Sequence, residues 1–436
     1  MSDSLAIRGG TPVVPKDLHR RWPVITDEDK AAVLASLESG ILNGPYAPQV
    51  KALEEEWARY CSVRYALTTN SGTAALHTAV ASGGLGTGDQ LITTAFTFLA
   101  TALAVLQHNA VPVFVDIDPR TFNINPAKIE ERITSRTKAI IPVHIHGVPA
   151  DMDPILAIAR KHGLLVIEDA AQAHGSTYKG KKVGGIGDMG IFSFQGSKNL
   201  PAGEGGIFVT NREDLKDRAN MFRMFGEDIR ESDKKAFDST RPLDGVREYN
   251  SFMMGWMYRT NEMSAALCRS QLRRLDASLA NTRKNAAYLT EHLAKIPGVI
   301  PPYVPPDCTS SYYQYRIRLD PRAAGVDLSA KEFRLKLLAT LKAEGVEVSL
   351  WQTVPVPGQT LFQERTGYGL SCPWKCPLGE EVKYDLGEYP ETVKLLNDSI
   401  VIGSHSYPLF PQSLELMQAY LEAFQRVFTH LDQAVA

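Results

Sequence analysis

The chain has little of what marks a membrane, nucleic-acid or disulfide-stapled protein. Its formal net charge is -2, and no run of five like charges occurs in its 436 residues. That balance argues against a polyanion or a charged lipid surface as partner. No stretch approaches 18 consecutive apolar residues, so a transmembrane helix is not expected. The opening MSDSLAIRGGTPVVP has no basic start followed by an apolar core and does not read as a secretory signal. Cysteine is scarce, odd in number and scattered at Cys61, Cys268, Cys308, Cys372 and Cys376. This predicts a reducing, cytoplasmic compartment. Cys372 and Cys376 have no second Cys or His pair nearby to complete a zinc site, and no metal is expected. What remains is an ordinary globular composition, 44% hydrophobic, long enough for two domains.

From about residue 61 to 210, short apolar runs alternate with amphipathic segments. Tyr65-Ala66-Leu67, Gln90-Leu91-Ile92, VPVFV at 111–115, KAIIPV at 138–143 and LLVI at 164–167 read as buried strands. AALHTAVASGG, FLATALAVLQH and PILAIARKHG lie between or after them with helical spacing. Gly190 to Phe194 and Gly206 to Thr210 read as two further strands. Alternation of this kind predicts an α/β fold with a large mixed, mostly parallel sheet. Beyond about 262 the pattern changes. A long helix over 262–296, strands at 312–319 and 346–350, and helices at 331–344 and 413–431 predict a smaller C-terminal α+β domain. The expected division is an N-terminal arm over 1–30, a large domain over 31–265 and a small one over 266–436. Residues 352–392 are rich in Pro, Gly and charge and read as a functional or interface loop.

Chemistry enters through Lys198, in GIFSFQGSKNLPAGEGG, and Asp169, which ends LLVIED. A lysine among small and polar residues is available to form a Schiff base once burial or a neighbouring charge frees its amine. An aspartate at the C-terminal end of a buried strand lies where ligands bind in open α/β sheets, and it suits a protonated pyridine nitrogen. Ser71-Gly72-Thr73, at a strand-to-helix transition, offers backbone N–H groups and hydroxyls to a phosphate. Phe98 offers a flat ring face, Gln172 a hydrogen bond to a phenolate oxygen, and Ser193 a further phosphate contact. Together these point to pyridoxal 5′-phosphate (PLP). Each residue has a plainer reading: Ser71 and Asp169 as helix caps, Phe98 as core, Lys198 as a solvated loop lysine.

The order of these motifs resembles the DegT/StrS family of PLP-dependent sugar or cyclitol aminotransferases, of fold type I. The resemblance runs from Gly9-Gly10-Thr11-Pro12 and Arg21-Trp22-Pro23 through SGTAALHTAV, FTFLATALAVL and PVFVDIDPRTFNI. It is densest in VIEDAAQAHGSTYKGKKVGGIGDMGIFSFQGSKNLPAGEGG. It implies that Gly72, Thr73 and Ser193 bind phosphate and that Phe98 stacks on the ring. It also implies that Asp169 and Gln172 hold the ring nitrogen and phenolate, and that Lys198 bonds the cofactor. By the same resemblance the enzyme moves an amino group from glutamine or glutamate to a keto-sugar or keto-cyclitol, with its site at a homodimer interface. Where the family shows G-x-N-Y-R, this chain reads Gly255-Trp256-Met257-Tyr258-Arg259. Methionine cannot donate the hydrogen bond that the asparagine sends to the neighbouring subunit's phosphate. Either Asn261 substitutes or fewer contacts hold the phosphate. The polar stretch from Gly226 to Met254 is expected to shape the substrate pocket. His174 and Arg259 are further candidates for substrate contact, and Trp351, Tyr312 and Tyr313 for the substrate side or the core. His144 and His146 lack a third metal ligand in sequence. The GGTPVVP start and Cys372-Pro373-Trp374 hint at a cyclitol or antibiotic pathway. Alternatives on the same scaffold are a PLP-dependent dehydratase, an aromatising synthase making an aminobenzoate ring, or a non-catalytic regulator.

Overall fold

Apolar residues on both faces of successive strands force a sheet covered on each side. In the computed structural model, which describes residues 4–436 apart from 45, 229–249, 370, 377 and 379–381, that sheet has seven strands. They are β1 (Tyr65–Thr69), β2 (Gln90–Thr94), β3 (Val111–Val115), β4 (Thr137–Ile141), β5 (Leu165–Asp169), β6 (Met189–Ser193) and β7 (Gly206–Thr210), in spatial order β1-β7-β6-β5-β4-β2-β3. Only β7 runs against its neighbours, pairing Ser193 with Gly206 on one side and Thr69 with Gly206 on the other. The fold is the expected α/β type. Along β5 the side chains alternate: Val166 joins the core on one face with Trp57 and Phe192, and Ile167 the opposite core with Ala75, Ala79 and Phe208.

Helices α1 (Asp27–Glu38) and α2 (Pro48–Cys61) precede the sheet. Within it come α3 (Gly72–Ser82), α4 (Ala100–Gln107) and α5 (Met152–His162), and α6 (Glu213–Phe222) follows. The second half builds a four-stranded antiparallel sheet from β8 (Val299–Ile300), β9 (Tyr315–Leu319), β10 (Val348–Ser349) and β11 (Ser399–Ile402). Helices over Ala330–Ala343 and Leu414–Thr429 pack on it through Leu337, Leu341, Met417 and Phe424. Among the described residues no helix is long and apolar enough to cross a membrane.

Two expectations are corrected. The single helix over 262–296 is two, Glu262–Leu272 and Leu275–Leu293. The break falls where Arg274 forks onto buried Asp29, at 3.0 and 2.5 Å, and reaches the Val24 carbonyl at 3.1 Å. Such a bidentate ion pair fixes geometry as well as charge. The 352–392 stretch also contributes core. Val356, Phe362, Trp374, Tyr384 and Tyr389 are buried against Phe114 and Val111 of β3. The Tyr384 hydroxyl donates to the Pro112 carbonyl at 2.9 Å and accepts from Trp374 Nε1 at 2.8 Å.

Candidate active site

The C-terminal ends of β1, β2, β5 and β6 converge on one cavity of about 340 Å³. Gly72, Thr73, Phe98, Asp169, Gln172, Ser193 and Lys198 all line it.

At one end the cavity is an anion cradle. Ser71 caps α3, its Oγ accepting from the Ala74 N–H at 3.0 Å. Gly72 and Thr73 are the first helical residues, so their N–H groups have no intrahelical acceptor. The positive end of the helix dipole adds to them. Glycine is required at position 72: a Cβ there meets Ser193 Cβ at 2.6 Å. Gly206 on β7 serves the same close approach, since its Cβ would lie 2.4 Å from the Ser71 carbonyl oxygen. The turn therefore lies flat on the strands, with the Thr73 and Ser193 side chains at the same cavity.

In the middle stands Asp169. Its Oδ2 accepts from Thr101 Oγ1 at 2.7 Å and its Oδ1 from the Ala171 N–H at 3.1 Å. Burial pushes its carboxyl above the usual range, opposed by the Thr101 and Ala171 hydrogen bonds and by the charge of Lys198. A cationic partner in the cavity restores the ionised form. The preceding Glu168 points to the other side. Wholly buried, it accepts from the N–H groups of Gly184, Ile186 and Gly187 at 2.6–2.7 Å and from His144 Nε2 at 3.0 Å. His144 Nδ1 accepts from the Ala150 N–H, so its proton sits on Nε2. These two residues fasten a loop.

Phe98 is 57% exposed, although it belongs to an otherwise buried strand end. It is not core; four residues beyond the end of β2, it lines the cavity. Gln172 is buried, and its Oε1 accepts from the His146 N–H at 2.8 Å. The amide nitrogen is thereby the group left to donate into the cavity.

Lys198 rides on the hairpin loop between β6 and β7, which is closed by Gly196 N–H to the Gly203 carbonyl at 2.8 Å and Ala202 N–H to the Phe194 carbonyl at 2.7 Å. Its Nζ stands 4.3 Å from the centroid of the Tyr313 ring, and its carbonyl accepts from Trp22 Nε1 at 3.2 Å. An amine over an aromatic face is partly desolvated yet favourably placed.

Tyr313 and Trp351 belong to the cavity wall, and Tyr312 to a neighbouring cavity of about 320 Å³ that shares Ser197, Tyr313, Trp351 and His405 with the first. Thr101 and His405 also line the first cavity and were not picked out from the sequence, and so does Glu204, whose glycine-rich run Gly203-Glu204-Gly205-Gly206 reads from sequence only as backbone passing close to a cofactor. Thr101 had a local signal, one helical turn beyond Thr97, whose Oγ1 it meets at 2.9 Å. His405 had none, arriving from the loop after β11. Burial and the charge of Lys198 both lower its tendency to hold a proton.

His174 and Arg259 do not line either cavity. His174 is wholly buried among Trp57, Phe192 and Phe194. Neither ring nitrogen has a hydrogen-bond partner among the described residues, and the nearby Ser193 backbone only weakly opposes the effect of burial. Burial pushes its pKa down to about 3, so it packs as a neutral aromatic rather than touching substrate. Arg259 is half-buried on the segment before α7 (Glu262–Leu272). Asn261 is the N-cap of that helix, its Oδ1 accepting from the Ser264 N–H at 2.9 Å. Of the Gly226–Met254 stretch expected to shape the pocket, 229–249 lie outside the described residues.

This geometry has known relatives. Residues 23–400 match the DegT/DnrJ/EryC1/StrS aminotransferase family. The GDP-perosamine synthase of Caulobacter vibrioides is 40% identical over 295 residues, covering 67% of this chain and 73% of that protein. The L-glutamine:2-deoxy-scyllo-inosose aminotransferase of Streptoalloteichus tenebrarius is 39% identical over 327 residues, covering 72% of this chain and 74% of that one. Among solved structures, 3-amino-5-hydroxybenzoic acid synthase superposes with a TM-score of 0.80 at 28% identity, over 94% of this chain and 98% of its own. The fold is that of the fold-type-I aminotransferases, and the chain belongs to the DegT/DnrJ/EryC1/StrS family as an aminotransferase.

Proposed function

We propose that this aminotransferase binds PLP in the 340 Å³ cavity and moves an amino group from glutamine or glutamate to a keto-sugar or keto-cyclitol. The observation that carries the reading is the convergence, from four strand ends and one hairpin loop, of an anion cradle, a buried carboxylate, an exposed aromatic face and a lysine. That donor set fits the group. Gly72, Thr73 and Ser193 hold its phosphate, Phe98 covers a ring face, Asp169 faces the ring nitrogen and Gln172 the phenolic oxygen. When bound, PLP supplies an electron-withdrawing ring that stabilises negative charge at the substrate carbon. Asp169 keeps the ring nitrogen protonated. With the cofactor bound, Lys198 Nζ would take the proton from the substrate carbon and, from the same face, deliver it to the carbon at the cofactor end of the C–N unit. Tyr313 and Trp351 exclude water from that amine, and the neighbouring cavity gives the keto ring room beside it. By the same reading the enzyme works in the cytoplasm as a homodimer whose site lies at the interface, with Met257 at the position from which the family's asparagine reaches the neighbouring subunit's phosphate.

The test is a half-reaction spectrum. Purified protein with PLP gains a visible band; glutamine or glutamate bleaches it as the amine form of the cofactor accumulates. Lys198→Ala abolishes the bleaching. A protein that stays colourless after incubation with PLP refutes the reading. A keto-cyclitol that loses water without gaining nitrogen favours instead a dehydratase or aromatising synthase, a reaction class consistent with the likeness to 3-amino-5-hydroxybenzoic acid synthase.

A further inference from the structure

Behind the Trp351 wall lies a buried cation that the transfer chemistry does not use. Arg316, on β9, is 2% exposed, and no carboxylate meets its guanidinium within salt-bridge distance among the described residues. Its Nη1 donates to Ser399 Oγ and its Nη2 to the Trp351 carbonyl, both at 2.6 Å. Its Nε donates to His146 Nε2 at 3.1 Å. A buried charge is costly unless its donors are engaged, so this arrangement is held for what it positions.

What it positions is His146. That residue has φ +56, a backbone conformation costing a non-glycine residue on the order of 1 kcal/mol. Its side chain is pinned by Arg316 and packs edge-on against Phe96 and Trp351, with ring centroids 5.6 and 4.8 Å away. The left-handed turn directs the His146 N–H onto Gln172 Oε1 at 2.8 Å. Because Nε2 accepts from Arg316, the imidazole proton sits on Nδ1. Burial first, and then Arg316, keep that ring neutral, and the neighbouring Gln172 amide opposes them.

We propose that Arg316 is a positioning residue for the cofactor: through the His146 side chain it holds the His146 N–H on Gln172 Oε1, and so fixes Gln172 Nε2 as the donor presented to the phenolic oxygen. The smaller sheet thereby sets the hydrogen bonding of a ring bound at the larger one. The inference rests on the PLP reading above.

The experiment adds PLP to the wild-type enzyme, Gln172→Ala, Arg316→Met, His146→Ala and the Gln172→Ala/Arg316→Met double variant. The dissociation constant and the position of the visible band are measured, with circular dichroism as the check on folding. Arg316→Met is expected to weaken PLP binding about tenfold, the size of one hydrogen bond to a charged oxygen, and to move the band in the same direction as Gln172→Ala. The double variant is then no weaker than Gln172→Ala alone, because both changes remove one interaction. His146→Ala gives the same shift by a second route should Arg316→Met not fold. A shifted band in Gln172→Ala beside unshifted bands in Arg316→Met and His146→Ala overturns the coupling alone, as do additive losses in the double variant. A wild-type enzyme with no visible band overturns the cofactor reading and the coupling together.

Discussion

Replacing Asp169 by asparagine separates two costs that the native site balances. The carboxylate is 5% exposed, and its two oxygens already accept from Thr101 and Ala171. Without a cationic partner its charge is disfavoured by burial, which raises its pKa above the ordinary carboxylate value. A folded pKa raised in this way contributes stability that is present at low pH and lost as pH rises through it. At neutral pH, Asp169→Asn therefore relieves this burial penalty in the cofactor-free protein, offset by the one hydrogen bond, from Thr101 or Ala171, that an amide nitrogen cannot accept. With the cofactor bound the sign reverses. Two unit charges about 4 Å apart at an effective dielectric near 20 attract by ~4 kcal/mol, and the asparagine forfeits that attraction to the ring nitrogen. At 1.4 kcal/mol per tenfold, donor half-reaction rates fall by roughly a thousandfold. Stopped-flow absorbance with saturating glutamine or glutamate reads the rate, and differential scanning calorimetry with and without PLP reads both stabilities. A half-reaction within tenfold of wild type refutes the assignment of Asp169 to the ring nitrogen.

Further outcomes follow from other residues. If the site is shared across a homodimer as proposed, Met257→Asn supplies a donor toward the neighbouring subunit's phosphate and should lower the PLP dissociation constant by about fivefold, near 1 kcal/mol, in equilibrium dialysis; no tightening refutes that placement of Met257. His174 is buried neutral with its pKa near 3 against an ordinary 6.5, a lowered value whose stability contribution is present above 6.5 and lost as pH falls toward 3. Urea unfolding of wild type should therefore lose about 2 kcal/mol more between pH 7 and 5 than His174→Phe, since one pKa unit is about 1.4 kcal/mol. The same variant should keep its half-reaction rate, because His174 does not reach the cavity.

The parts of the site that could be read from sequence are those made locally. Asp169, Ser193 and the Ser71–Thr73 turn sit at the ends of apolar runs, where a strand must stop and a ligand can enter. Lys198 stands between two such runs, in a segment too rich in glycine for either. The wall opposite was only half legible. Tyr313 and Trp351 could be named, but core and cavity were equal readings, because an aromatic residue suits both. His405 could not be found, since only the packing of β11 beside β9 brings it to Lys198. The helix break at Arg273-Arg274 had no local cause either: both residues favour helix, and Asp29, some 245 positions away, supplies the reason. Proline and glycine in 352–392 predicted an irregular stretch, yet among the described residues it holds the short helix Thr360–Glu364 and the start of another at Pro390, and nothing in the composition indicated that its aromatic side chains belong to the core.

That last segment has a bearing on how the enzyme is engineered. β3 ends the seven-stranded sheet, and an open strand edge is a template on which a second chain can add itself. Here Pro112 removes one donor from that edge, the Tyr384 hydroxyl occupies the carbonyl of the same residue, and the buried aromatics around Trp374 shield the strand. Trimming the loop to widen access for a bulkier acceptor would uncover a sticky border of the sheet. A roomier entrance would then come with an open strand edge on which a second chain can pair.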